Sequence, residues 1–194
     1  MRTMLVHSPK PKQGIGNLIK IPQIYASFIF NTKQDANFMD APKAGLLIMK
    51  TARRNAVSKT AARALLSIVG HFPQGYGVAY VPRIENEYSD QYEYAIVVGL
   101  NPADPFEPIC RAATKNLTFI PHGQMLTVDR HSNLYFPQVK KQLEKISPER
   151  LEEILRNLVS DFDERRNLDL IPSYWEPYDF FCYTKFQNLW KQAY

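Results

Sequence analysis

The chain has 194 residues, 45% of them apolar and 22% charged. That composition fits a folded chain with a sizeable core and excludes disorder throughout. No run of about 18 apolar residues occurs, which excludes a plain membrane-spanning helix. Net charge is +5 and unevenly spread: eleven of the 24 Lys and Arg, but only Asp35 and Asp40 of the 19 acids, lie in residues 1–71. Such asymmetry points either to an anionic partner or to attraction between two parts of one molecule.

Residues 1–17 carry Pro9, Pro11, Gly14 and Gly16, which predicts a flexible start. They lack the apolar core of about 7–15 residues that a secretory signal needs, so a cytoplasmic protein is expected. Residues 18–30, LIKIPQIYASFIF, form either a buried helix with Pro22 in its first turn or a strand; so short a run does not decide. Asp40, as N-cap, and Pro42, in the first turn, predict a helix to about Arg54, closed by Asn55 or Ala56. Ser58 caps a second helix over Lys59–Val69, with Leu65, Leu66, Ile68 and Val69 as its apolar side and Gly70 as its stop.

From Phe72 the pattern changes. Phe72-Pro73-Gln74-Gly75 reads as a turn. Tyr76–Ile84 and Tyr92–Leu100 read as strands joined by a polar hairpin connection. Shorter strands are expected at Pro108–Ala113, Leu117–Ile120 and Met125–Val128. Asn101-Pro102 through Pro108 reads as a rigid edge turn. Ser147-Pro148-Glu149 then starts an amphipathic helix, about residues 148–166, with Leu151, Ile154, Leu155, Leu158, Val159 and Phe162 at helical spacing. An aromatic tail follows, from Tyr174 to Trp190. The expected class is α+β: a helical N-terminal part, a small antiparallel β-module and a C-terminal helical extension. The expected division is 1–17, 18–113 and 114–194.

Few residues carry a motif. Cys110 and Cys182 have no metal-ligand or redox spacing and read as free thiols. The histidines His7, His71, His122 and His131 form no HxH or HExxH arrangement; His122 and His131 flank Asp129, a weak cluster at best. Gly14/Gly16 and Gly75/Gly77 lack the spacing of a phosphate cradle and read as turns. No GxSxG nucleophile signature occurs. The sequence calls for no metal and no cofactor. The basic candidate is the first helix pair, where Lys50, Arg53, Arg54, Lys59 and Arg63 cluster as helix-borne cations able to hold phosphates of a nucleic acid or a cyclic dinucleotide. The alternative is a solvated helix face. Candidate docking residues for another protein are Leu151, Leu155 and Phe162 on the amphipathic helix, and Trp175, Phe181 and Trp190 in the tail; the alternative is that the tail's aromatic cluster, which could also stack bases, seals a core edge.

One segment, "GHFPQGYGVAYVP…YEYAIVVGLNPADPFEPICR", resembles the tail of HD-GYP domains, the cyclic-di-GMP phosphodiesterase branch of the HD phosphohydrolases. Gly70-His71-Phe72-Pro73-Gln74-Gly75 is similar to the family's G-x-Y-P-x-G, and Asn101-Pro102, Pro105 and Pro108 to its N-P-x-x-P-x-x-P. "APKAGLLIM" and "IKIPQIYASF" resemble its preceding helices more weakly, for a span of about residues 15–113. The HD pair, the paired histidines and the DGxGYP motif are not in this sequence. Gln23 stands where the family has a metal-binding Asp, and a neutral amide is a poor ligand for a metal cation. The resemblance therefore implies a degenerate module without phosphodiesterase activity. The first expectation is a non-catalytic regulatory or protein-interaction module. The alternatives are a nucleic-acid-associated factor using the basic N-terminal third, and the accessory half of a split or oligomeric HD phosphohydrolase.

Overall fold

The computed structural model describes residues 15–30, 38–84, 87–145, 149, 152, 153, 156, 171–178, 191 and 192. The fold is mixed α+β, with a helical N-terminal part and a small antiparallel sheet. The chain divides into two compact units: residues 1–73 with 100–105, and residues 74–99 with 106–194. The helices and β-module expected as one segment over 18–113 thus belong to separate units.

The first unit is built on three helices that pack on one another: α1 (Ile15–Ile29), α2 (Ala41–Arg53) and α3 (Lys59–Val69). Their core is Ile21, Ile48, Ala52, Val57, Ala62 and Leu66, with Ile24, Tyr25, Met49, Leu65 and Val69 packed against it. Residues 18–29 are helical, which settles the choice between helix and strand. Pro22 sits inside α1 rather than in its first turn, because the helix already starts at Ile15. Leu18 and Pro22 are both exposed, so water can reach the Leu18 carbonyl that loses its helical partner.

Pro42 stands at the start of α2 as its fixed φ requires. The side-chain cap expected from Asp40 does not form. Asp40 has helical φ and ψ at the end of a 3-10 turn over Phe38–Asp40, and its carboxylate pairs instead with Lys43 at 2.6 Å. Asn55 closes α2 with φ 57°, a left-handed conformation that Asn tolerates. The Ser58 hydroxyl accepts the Ala61 N–H, the cap read from sequence. Gly70 ends α3 with φ 69°. Ile68, expected on the apolar side of α3, is 64% exposed.

Close approach explains one glycine of this unit. A Cβ on Gly45 would collide with the buried ring of His71, its Cε1 only 2.6 Å away. The loop over residues 100–105 also belongs here. Asn101 Oδ1 accepts the Ala103 and Asp104 N–H groups, and the Pro105 carbonyl accepts the His71 N–H at 2.9 Å. An Asx turn stiffened by proline therefore ends the strand that precedes it, as the prolines predict.

The second unit holds an antiparallel sheet in the order β1 (Gly77–Tyr80), β4 (Glu93–Gly99), β5 (Ile109–Ala112), β8 (Met125–Thr127). A short hairpin pairs β2 (Arg83–Ile84) with β3 (Glu87–Tyr88). A third small sheet joins β6 (Thr114–Lys115), β7 (Thr118–Phe119) and β9 (Lys191–Gln192), the last pair parallel. The core gathers Tyr92, Tyr94, Leu117, Leu134 and Ile171, together with Val139 and Leu143 of α4 (Pro137–Leu143). Trp175 completes it. It is 8% exposed, its indole N–H donates to the Ala95 carbonyl at 3.0 Å, and its ring lies 5.4 Å from Tyr94. That burial agrees with the reading in which the aromatic cluster seals a core edge, with the indole N–H satisfied inside. Of the expected helix over 148–166, Glu149, Glu152, Glu153 and Arg156 are helical; Leu151, Leu155 and Phe162 lie outside the described residues, as do Phe181 and Trp190.

Leu117, expected to open a strand, is instead a turn residue. Lys115 pairs with Thr118, so Asn116 and Leu117 form a two-residue hairpin, with φ 51° and 52°. Positive φ at both positions is what a type I′ turn needs, and glycine is the usual second residue. Leucine accepts the strain because its side chain is buried, 1% exposed. A buried carboxylate holds the turn. Glu93 Oε2 accepts the Thr114 hydroxyl at 2.6 Å and the Leu117 N–H at 3.1 Å, and Oε1 accepts from Gln91 Nε2 at 3.2 Å. Thr114 Oγ1 in turn accepts the Tyr94 N–H at 2.9 Å.

Burial raises the Glu93 pKa, and the bonds from Thr114, Leu117, Asn116 and Gln91 only partly oppose it. The folded state therefore holds this proton more tightly than the unfolded chain. The resulting stability is complete below the ordinary carboxyl value of about 4.3 and is lost as pH rises through the higher folded value. Glu93→Ala should lower the unfolding free energy by about 2–4 kcal/mol near neutral pH, since Thr114 and Leu117 lose a buried acceptor. Glu93→Gln, which carries no charge, should gain on the wild type as pH rises above about 4.3. Urea titrations across that range measure the difference; one that does not change with pH contradicts the role given to Glu93.

Candidate functional site

The turn Arg54–Ser58 reverses the chain between α2 and α3. Val57 is buried in it at 3% exposed and pins the two helices together. On α2, Met49, Ala52 and Arg53 follow at i, i+3 and i+4, so they share one face. On α3, Lys59 and Arg63 are four apart and share another. The two faces border one cavity of about 200 Å³, lined by Met49, Ala52, Arg53, Lys59 and Arg63.

The sequence singled out five cations here, and the fold brings three of them together. Lys50 and Arg54 are exposed on the same helix end but do not line the cavity. Charge is one-sided throughout. No Asp or Glu occurs in α1, α2 or α3, and Asp40, the nearest acid before α2, is taken by Lys43. Among the described residues, no ion pair involves Arg53, Lys59 or Arg63. Met49 and Ala52 add apolar side chains to the cavity lining. Arg53, Lys59 and Arg63 are themselves exposed; as cations lining one cavity they can hold a phosphate group, with each arginine able to bind two of its oxygens at once.

The other candidates resolve as structure. Asp129 Oδ1 accepts the His131 and Ser132 N–H groups, both at 2.8 Å, and Oδ2 pairs with Arg83 at 3.5 Å. Its carboxylate shapes a loop, while His122 and His131 are exposed. His71 is buried against Gly45. Gln23 is exposed on α1. No group of three or more His, Cys, Asp or Glu among the described residues could hold a metal ion. Cys110 is buried and free, and burial pushes its thiol up to about 12, so it stays protonated and unreactive near neutral pH. No helix of the described residues is long and apolar enough to cross a membrane. Sequence reasoning missed Met49 and Ala52, whose spacing to Arg53 was the available signal.

Compared with family models, with curated proteins and with solved structures, the chain matches none.

Like charges brought together without acids cost stability. Lys59 and Arg63 stand at the i,i+4 spacing, where such a pair costs about 0.2–0.5 kcal/mol. Arg63→Gln should therefore leave thermal stability equal or slightly raised at low salt, with the gain disappearing as salt screens the charges. A marked drop in melting temperature would show that Arg63 serves the fold rather than a ligand.

Proposed function

We propose that this chain is a non-catalytic binding module, and that its N-terminal helical unit grips a nucleic acid through backbone phosphates. The observation that carries this reading is that Arg53, Lys59 and Arg63 line one cavity and, among the described residues, pair with no acid. Such an arrangement suits a polyanion. Phosphate contacts of this kind release counterions, so binding weakens as salt rises. Lys50 and Arg54, exposed beside the cavity, extend the basic surface to neighbouring phosphates.

A second reading keeps the module non-catalytic but gives it a protein partner, as a regulatory remnant of an HD-GYP-type domain. It is favoured by exposed apolar side chains in the same unit: Leu18 at 60%, Ile19 at 50%, Leu46 at 46% and Ile68 at 64%. On either reading the chain carries no phosphodiesterase activity of its own, and hydrolysis of cyclic-di-GMP by the purified chain with added Mn or Fe would contradict both.

Fluorescence anisotropy with a labelled oligonucleotide tests the first reading. The logarithm of the binding constant should fall linearly with the logarithm of salt concentration. The pair Arg53→Ala and Arg63→Ala should reduce that slope by about one phosphate contact each. No binding at low salt, or an unchanged slope in the double variant, would overturn it.

A further inference from the structure

We infer that the cavity between α2 and α3 takes a terminal phosphate of a nucleic acid, a phosphomonoester, in preference to an internal phosphodiester. This rests on the nucleic-acid reading above and adds to it the chemical form of the group that is held. A groove that tracks a strand spreads its cations along successive phosphates, each of which carries one charge. Here Arg53, Lys59 and Arg63 instead border a single concavity. A phosphomonoester carries about 1.5 to 2 negative charges at neutral pH, against one for a diester. It also has three free oxygens, enough for two arginines and a lysine to bond at the same time.

Size agrees with this assignment. The cavity holds about 200 Å³, below the roughly 300–1,000 Å³ of pockets that enclose a whole small ligand. It has room for a phosphate group, and its described lining offers no aromatic ring on which a base could stack. The group that enters is therefore an end. The rest of the strand leaves over the exposed Lys50 and Arg54 side, where the next diester meets single cations.

The test compares three oligonucleotides of one sequence: 5′-phosphorylated, 3′-phosphorylated, and with hydroxyls at both ends. The full chain is titrated at fixed salt. One phosphorylated end should bind about tenfold or more tightly than the hydroxyl form, since an added charge meets three cations. That preference should shrink below about pH 6, where the monoester takes up its second proton. Inorganic phosphate should compete with the phosphorylated form at lower concentration than chloride does. Arg63→Ala should abolish the preference. Arg63→Lys, which keeps the charge and loses the two-pronged contact, should retain only part of it. Equal binding of all three oligonucleotides, with steep salt dependence, would overturn the terminal-phosphate assignment and leave the nucleic-acid reading standing. Absence of binding to any of them would overturn both.

Discussion

The turn between α2 and α3 is the constraint on which the N-terminal unit depends. Asn55 in a left-handed conformation, buried Val57 and the Ser58 cap fold the chain back within a few residues. A turn so short leaves little freedom in where the following helix starts. It brings Lys59 and Arg63 of the second helix to the same cavity as Met49, Ala52 and Arg53 of the first. The burial of Ile21, Ile48, Ala62 and Leu66 fixes the three helices in that arrangement. At about 25 cal/mol per Å² of apolar surface, such a core outweighs the repulsion among a few partly solvated cations. The cavity is thus paid for by the core around it.

The two units treat charge in opposite ways. In the β-unit, Glu93 is 4% exposed and surrounded by donors from Thr114, Leu117 and Gln91. Its hydrogen bonds are directed inward, and they hold the strained pair Asn116–Leu117 in place. Such a carboxylate is an element of architecture. In the helical unit, exposed Arg53, Lys59 and Arg63 line one cavity and, among the described residues, pair with no acid. A hydrogen-bonded buried carboxyl serves the fold, whereas the like charges around the cavity are what the proposed phosphate would neutralise.

What was legible in the sequence follows from where local chemistry decides. Pro42, Ser58 and Gly70 each act through their own backbone geometry, and the bounds of α2 and α3 fall where they indicate. Asp40 misled because its side chain had a better partner in Lys43. The first helix was ambiguous because apolar burial alone chose between helix and strand. The Asn116–Leu117 hairpin carries no glycine, so nothing local announced it, and only the burial of Leu117 and the distant Glu93 make it stable. For Trp175 the sequence left docking and core sealing both open, since its partner Ala95, which accepts its N–H, lies eighty positions away. The five cations were visible as a group. Which three converge was a matter of helical phase, readable from Met49, Ala52 and Arg53 once both helix bounds were known.

The central claim is that Arg53, Lys59 and Arg63 act together on one phosphate. The most direct measurement is an NMR titration of the arginine side-chain Nε–Hε signals with a phosphorylated oligonucleotide. The account predicts that the signals of Arg53 and Arg63 shift together along one binding curve, while those of Arg111 and Arg130 in the β-unit stay in place. Shifts at Arg111 or Arg130 with Arg53 and Arg63 unmoved would contradict it.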